Sequence, residues 1–296
     1  MSKKKVLVTG ATGYIGAHLC KILHQNNIEV EAVDANIHES SNDVSAYVKK
    51  FTELDVTQSI PKRISNKKYD AVVHLAGMST VGDSWINPFE FYRVNIMGTA
   101  IVASTIQTDH FIFASTASAW GMDSPYARSK VAAEDVIKQI CPAFTIFRFF
   151  NVSGSDGEFS QHGESTHLIR VAAEVAAGKR DTLTVNGDDY DTPDGTCVRD
   201  YIHVVDLCNS ILASINGGPK NTPFESLGTT KGQSVHEVVR AMQHATGEKV
   251  PVVIGPRRPG DTPMSVVDTP SEYNVVTKSL EDMCLDQYTL EKNNEQ

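Results

Sequence analysis

The chain has 296 residues, 41 % of them hydrophobic and 21 % charged, which suits one large domain or two sharing a core. Its net charge of −9, with no long run of Lys or Arg, argues against a nucleic-acid or anionic-membrane surface. Cys20, Cys141, Cys197, Cys208 and Cys284 form no CxxC pair, no apolar stretch reaches ~18 residues, and the basic start has too short an apolar run for a signal peptide, so we expect a reduced, cytoplasmic protein with idle thiols.

In chain order, KVLVTG predicts a strand and GYIGAHLCKILHQNN a helix, with Ile15, Leu19, Ile22 and Leu23 on one side. VEAVD is a second strand, and SNDVSAYVKK is too polar to place. YDAVVHLAG and HFIFAST are strands apolar enough to be buried on both faces, with a long helix over PFEFYRVNIMGTAIVASTIQ between them. SPYARSKVAAEDVIKQI predicts a helix with Ser124 as N-cap and Pro125 in the first turn. AFTIFRFFN is the next strand. This alternation predicts an α/β fold: a Rossmann-type, doubly wound parallel sheet. After about residue 155, Gly-, Asp- and Thr-rich loops alternate with helices such as HLIRVAAEVAAGK and SVHEVVRAMQHATG. We therefore divide the chain into a dinucleotide-binding domain over 1–160 and a smaller α/β substrate-binding region over 161–296, interleaved with the first. The end of the chain reads as a polar, disordered tail.

VLVTGATGYIG places Gly10, Gly13 and Gly16 between the first strand and first helix. Glycines there permit a tight turn and close approach to a pyrophosphate, and the helix N-terminus offers free N–H groups. Asp34 ends the second strand, where a carboxylate accepts from a ribose diol and repels a 2′-phosphate, favouring NAD over NADP.

Tyr126 and Lys130 are four apart and share a helix face. A phenol with a pKa of ~10 is a poor base, and lowering it by three units needs ~4 kcal/mol of differential stabilisation. A neighbouring ammonium and a nicotinamide cation both favour the phenolate. The phenolate can take an alcohol proton while Thr116, at the end of FIFAST, holds the same oxygen.

The glycine loop, HLAG, the strand-end hydroxyl and the Tyr-x-x-x-Lys pair resemble the extended short-chain dehydrogenase/reductases. GKRDTLTVNGDDYDTPDGTCVRDYIHVVDL and RRPGD narrow this to a resemblance to the UDP-glucose 4-epimerases over nearly the whole chain. The resemblance implies tightly held NAD and transient oxidation of C4 of a UDP-hexose. It implies a cofactor site of Gly10, Gly13, Tyr14, Ile15, Gly16, Asp34, Asp55, Val56, Leu75, Ala76, Gly77, Asn95, Lys130 and Phe150, with Asp55 and Val56 beside the adenine. Tyr126 would be the base, Thr116 its partner and Lys130 the cation that tunes it. The nucleotide-sugar would meet Asn151, His167, Leu168, Arg199, Tyr201, Arg258, Asp261 and Ser265. Two guanidiniums suit a diphosphate and Asp261 a ribose hydroxyl. A homodimer is implied, with 87–107 and 125–140 packing across its axis.

The sequence departs from the family at several points. The segment joining Thr116 to Tyr126 is short. Ser79 stands where the family carries a lysine, His167 where asparagine is common and Asn186 where a phenylalanine lines the uracil. Ser265 replaces a tyrosine that crowds the sugar's C2 side, so UDP-GlcNAc and UDP-GalNAc are expected substrates beside UDP-glucose and UDP-galactose. Two other enzymes on the same scaffold, a nucleotide-sugar 4,6-dehydratase and a UDP-glucuronate decarboxylase, use an acid just after the strand hydroxyl. Here Ala117 and Ser118 occupy that place. A binding protein without turnover is the remaining alternative, and the intact trio weighs against it. DDYDTPDG lacks EF-hand spacing, His162, His167 and His203 lack metal-ligand spacing, and no metal is assigned.

Overall fold

The computed structural model describes residues 3–35, 42–163, 166–258 and 260–293. It separates into two compact units, Met1–Phe149 with Cys208–Ser226 and Phe150–Leu207 with Leu227–Gln296. All five cysteines are free and buried. Among the described residues no helix is long and apolar enough to cross a membrane.

The first unit begins β1 (Lys5–Thr9), α1 (Tyr14–Gln25), β2 (Glu29–Asp34), β3 (Lys50–Glu53), α2 (Lys62–Ser65), β4 (Lys68–Tyr69) and β5 (Ala71–His74). It continues through α3 (Val81–Ile86), α4 (Pro88–Tyr92), α5 (Thr99–Thr105), β6 (Gln107–Thr108), β7 (Phe111–Thr116), α6 (Pro125–Ile140) and β8 (Phe144–Phe149). The next elements are β9 (Asn151–Ser153), α7 (Leu168–Ala176), β10 (Leu183–Asn186), β11 (Val198–His203), α8 (Val204–Gly217) and β12 (Glu225–Leu227). The chain ends with β13 (Gly232–Ser234), α9 (Val235–Thr246), β14 (Val252–Gly255), β15 (Met264–Ser265) and α10 (Leu280–Asn293).

Seven strands form the main sheet in the order β12-β8-β7-β5-β1-β2-β3. The β1–β2, β1–β5, β2–β3, β5–β7 and β7–β8 pairings are all parallel. The order reverses between β1 and β5, so the loops leaving these two strands open a crevice at their carboxyl ends, the usual ligand position in a doubly wound sheet. Strands such as AVVH and FIFAST are buried along their length, because helices cover both faces. Leu7, Val72, Phe111, Phe113 and Ile146 anchor this core.

Three differences from the sequence reading have physical causes. The long helix over 88–107 is interrupted by a π-helical stretch, Arg93–Gly98, joining α4 to α5. Such bulges cluster at functional sites, and this one carries Asn95. Phe51 and Thr52 lie in β3, a strand at the sheet edge that periodicity missed because it is only four residues long. Through Asn293 the stretch read as a polar tail is helix α10 rather than disorder, and residues 294–296 lie outside the described residues. It buries Met283, Cys284, Gln287, Tyr288, Leu290 and Glu291 at helical spacing, packed with α7 and α9 residues in the second unit's core. Its buried Glu291 is paired with Lys179 at 3.2 Å and Arg170 at 3.4 Å, so acidity that reads as a solvated face is neutralised inside.

Candidate active site

At the crevice, Gly10 has φ +71°, and a Cβ on it would stand 2.6 Å from the Ala76 backbone nitrogen. A Cβ on Gly16 would stand 2.0 Å from the Gly10 carbonyl. No side chain caps α1, and its first turn holds no acid. A helix N-terminus of this kind suits an anion. Asp34 accepts from the Thr12 backbone N–H and hydroxyl, each at 2.9 Å, bracing the glycine turn against β2. Thr57 donates to Asp55 from its backbone and hydroxyl, both at 2.8 Å, beside the buried Val56. This cradle fits a dinucleotide: the backbone comes close and a carboxylate ends β2.

Leu75, Ala76 and Gly77 leave β5 directly beside this turn. The Ala76 N–H donates to Thr9 Oγ1 at 3.3 Å. A Cβ on Gly77 would lie 2.9 Å from Asn95 Oδ1 and 3.9 Å from Lys130 Nζ. Asn95 is buried and fully engaged. Its Oδ1 accepts from the Met78 N–H at 2.8 Å, and its Nδ2 donates to the Met78 carbonyl at 3.0 Å and to Ser129 Oγ at 2.9 Å. Ser129 in turn donates to the Tyr126 carbonyl at 2.7 Å. One short segment thus connects the glycine turn to the first turns of α6.

Ser124 caps α6 by accepting from the Ala127 N–H at 3.1 Å, with Pro125 in the first turn, as the sequence predicts. Thr116, at the end of β7, brings its hydroxyl close enough to the Tyr126 phenol to favour its ionised form. The Phe91 ring meets the Tyr126 ring edge-on at 6.3 Å. Lys130 is buried with its Nζ 4.2 Å from the Phe113 ring centroid. Burial pushes the Tyr126 phenol up, and the Thr116 hydrogen bond works against it. Burial pushes Lys130 down to about 7, and the Glu134 charge works against that. The lowered phenol pKa expected from the Tyr–Lys pairing is therefore not a property of the chain alone. Desolvation outweighs it, and a further positive charge in the crevice is needed to favour the phenolate.

In the second unit, β9 pairs in parallel with β11, setting Asn151 opposite Tyr201. Asn151 Nδ2 donates to the Asp200 carbonyl at 2.9 Å. Phe150 precedes it, with its N–H donating to the Leu227 carbonyl at 3.2 Å. Arg199 lies opposite Ser265 in the β11–β15 pairing and approaches Asp261 at 3.5 Å. The Asp261 N–H donates to the Arg258 carbonyl at 3.2 Å. His167 stands at the N-terminal boundary of α7 without a side-chain capping bond, directly before Leu168. Arg199, Asn151, Tyr201, Ser265 and Asp261 are thus gathered around β11, and Leu168 and His167 mark the α7 N-terminus. In the acidic DDYDTPDG loop, Asp188 and Asp189 are exposed, whereas Asp194 is an internal acceptor for Thr196 and Ser234.

Residue spacing alone missed two supports. Asp200, on β11, is fully buried and accepts from the backbone N–H groups of Thr229, Thr230 and Val267. It fixes the loop and strand on either side of Arg199 and Ser265. Glu134 continues the Tyr126, Lys130 column of α6 by one more turn. Its i+8 position was the available signal.

Residues 6–225 match the NAD dependent epimerase/dehydratase family, to which the chain belongs. Within it, the chain is 35 % identical to a UDP-glucose 4-epimerase of Cyamopsis tetragonoloba, over 97 % of this chain and 95 % of that one. It is 31 % identical to the UDP-glucose 4-epimerase of Bacillus subtilis, over 98 % and 97 %. Among solved structures it is similar to the UDP-glucose 4-epimerase of Bifidobacterium longum in complex with NAD+ and UDP (TM-score 0.88, 31 % identity, 98 % of this chain and 99 % of that one). It is also similar to the UDP-Glc/GlcNAc 4-epimerase of Campylobacter jejuni (TM-score 0.80, 31 % identity, 98 % and 99 %).

Proposed function

We propose that the chain catalyses NAD-dependent C4 epimerisation of UDP-hexoses: UDP-galactose and UDP-glucose, and their N-acetylated counterparts. The observation that carries this is the continuous path from the glycine turn through Ala76 and Gly77 to Lys130 Nζ, next to the Thr116–Tyr126 hydroxyl pair. A dinucleotide cradle and a proton-transfer pair share one segment. The dehydratase and decarboxylase alternatives find no acid after Thr116, where Ala117 and Ser118 follow.

Gly10, Gly13, Tyr14, Ile15 and Gly16 would hold the pyrophosphate of NAD. Asp34 would take the adenosine ribose, Asp55 and Val56 would flank the adenine, and Leu75, Ala76, Gly77, Asn95, Lys130 and Phe150 would complete the site. Bound NAD supplies a reversible hydride acceptor and a positive ring, so that C4 is trigonal for a time and its configuration can be reset. Tyr126 Oη takes the proton of the 4-hydroxyl and later returns it. Thr116 Oγ1 holds the same oxygen, and the Lys130 ammonium steadies the phenolate. Arg199 and Arg258 would engage the diphosphate. Asp261, Asn151, Leu168, His167 and Tyr201 would hold the uridine and sugar. Ser265 leaves space at C2, and the similarity to the UDP-Glc/GlcNAc 4-epimerase of Campylobacter jejuni supports the wider substrate range.

We read the protein as a cytoplasmic homodimer. Trp85, Ile86 and Phe89 are 60 %, 83 % and 70 % exposed, and Val81 and Met97 extend this apolar row along the 81–97 segment. A row of that kind supports self-association.

Purified protein incubated with UDP-galactose and no added cofactor should give both C4 epimers, followed by the anomeric signals in proton NMR. Tyr126→Phe should lower turnover by about 10²–10⁴-fold, the usual worth of a general acid–base group. Undiminished turnover in that variant would sink the assignment.

A further inference from the structure

Glu134 is completely buried two turns after Tyr126 on α6. Few carboxylates are buried to this degree unless paired. Three neighbours engage it. Arg148, on β8, donates from Nε to Oε1 and from Nη2 to Oε2, both at 2.8 Å, a bidentate fork. Ser115, on β7, donates to Oε1 at 2.5 Å. Lys138 approaches Oε2 at 3.8 Å. The far side of the Arg148 guanidinium is covered by aromatic rings, 3.8 Å from the Phe224 centroid and 4.9 Å from that of Trp120.

The register makes this cluster more than an internal ion pair. Ser115 is opposite Arg148 in the β7–β8 ladder, and Thr116 is opposite Phe149. Glu134 thus grips the two strands one residue below the hydroxyl that meets Tyr126. Tyr126, Lys130 and Glu134 fall at i, i+4 and i+8, so the carboxylate lies one turn below the ammonium on the same side of the helix. Among the described residues, the titratable groups around Lys130 are Tyr126 and Glu134 from its own helix and His74 from β5. His74 is neutral: burial, then the Lys130 charge, pushes it down to about 3. That leaves Glu134 as the anion acting on Lys130.

We propose that Glu134, held by Ser115 and Arg148, is the counter-charge of Lys130 and sets the height of α6 on the sheet. It is a positioning residue: it touches neither the reacting sugar nor the cradle, and acts through Lys130 and Thr116. The inference rests on reading Tyr126 and Lys130 as the proton-transfer pair. The charge of Glu134 favours the ammonium that burial opposes. Arg148 neutralises Glu134 from the opposite side and keeps the carboxylate ionised inside the core.

The test compares the purified holoenzyme with Glu134→Gln and with the double variant Glu134→Gln/Arg148→Met, which also removes the guanidinium that the single variant leaves without its carboxylate. Lys130 is titrated by NMR in 13C-lysine-labelled protein, its signal assigned by loss in Lys130→Met, alongside the pH profile of kcat on UDP-galactose and the melting temperature. In both variants the Lys130 titration should move to lower pH by about one unit, a tenfold loss of ammonium above the new midpoint. The alkaline limb of kcat should move with it. The double variant should regain the melting temperature lost in Glu134→Gln without regaining the wild-type titration. A double variant that recovers both would overturn the proposal and leave a purely structural ion pair. So would a Lys130 titration unmoved in either variant. If the titration moves while the kcat profile stays fixed, the counter-charge stands and the catalytic reading of Lys130 falls.

Discussion

Asn95 Nδ2 meets Ser129 Oγ at 2.9 Å, joining the π-helical stretch of one helix to the turn of α6 that carries Tyr126 and Lys130. Asn95 also exchanges two hydrogen bonds with the Met78 backbone, beside the cofactor-facing segment. Asn95→Ala strips these buried partners. It should cost roughly 2 kcal/mol of stability, the order of leaving buried polar groups unsatisfied. It should also lower kcat on UDP-galactose more than it raises KM, because it loosens the segment between cradle and base. Denaturant melts and steady-state kinetics check both, and a change in KM alone would contradict this.

Lys130 ties function to an intrinsic instability. Its pKa is pushed down to about 7 by burial, against an ordinary lysine value of 10.5. Below about pH 7 the ammonium is charged in folded and unfolded chains alike, and folding carries its full desolvation. As pH rises from about 7 toward 10.5, the folded chain has released a proton that the unfolded chain keeps, so stability from this group increases. Cofactor-free Lys130→Met should therefore melt higher than wild type at pH 6, be nearly inactive, and lose its thermal advantage as pH approaches 10. Equal melting temperatures at pH 6 would show that the burial is not opposed to the charge.

Ser265, opposite Arg199 in the β11–β15 ladder, should act as a gate at the sugar's C2 position. Ser265→Tyr should reduce turnover of UDP-GalNAc at least tenfold while changing that of UDP-galactose by less than about threefold, in line with rejection by bulk rather than lost chemistry. Parallel NMR assays of the two sugars decide it; equal turnover of the acetylated sugar in wild type and variant removes the gate.

The apolar row along 81–97 should be buried between two copies. Trp85→Ser/Phe89→Ser should shift the protein from dimer to monomer in sedimentation-velocity runs, with no loss of secondary structure, since these side chains are exposed in the single chain. A wild-type protein that sediments as a monomer at micromolar concentration rules this interface out.

The parallel sheet, the glycine turn, the capped start of α6 and the Tyr126–Lys130 pair are local. Strand alternation, a Gly-rich link, Ser124 with Pro125 and a four-residue spacing each declare themselves within a dozen residues. Other features follow from contacts far apart in the chain. α10 looked like a solvated tail because its buried Glu291 owes its place to Lys179, 112 residues away. Asp200 has no local pattern to mark it; its place is set by loops and strands from 229 to 267 that close around it. The ionisation of Tyr126 and Lys130 belongs to the same class. Sequence placed a phenol and an ammonium side by side, and that proximity alone favours the phenolate. The folded core removes water from both, and desolvation reverses the balance. Residue order determined which groups meet, and tertiary burial decided which of them carry charge.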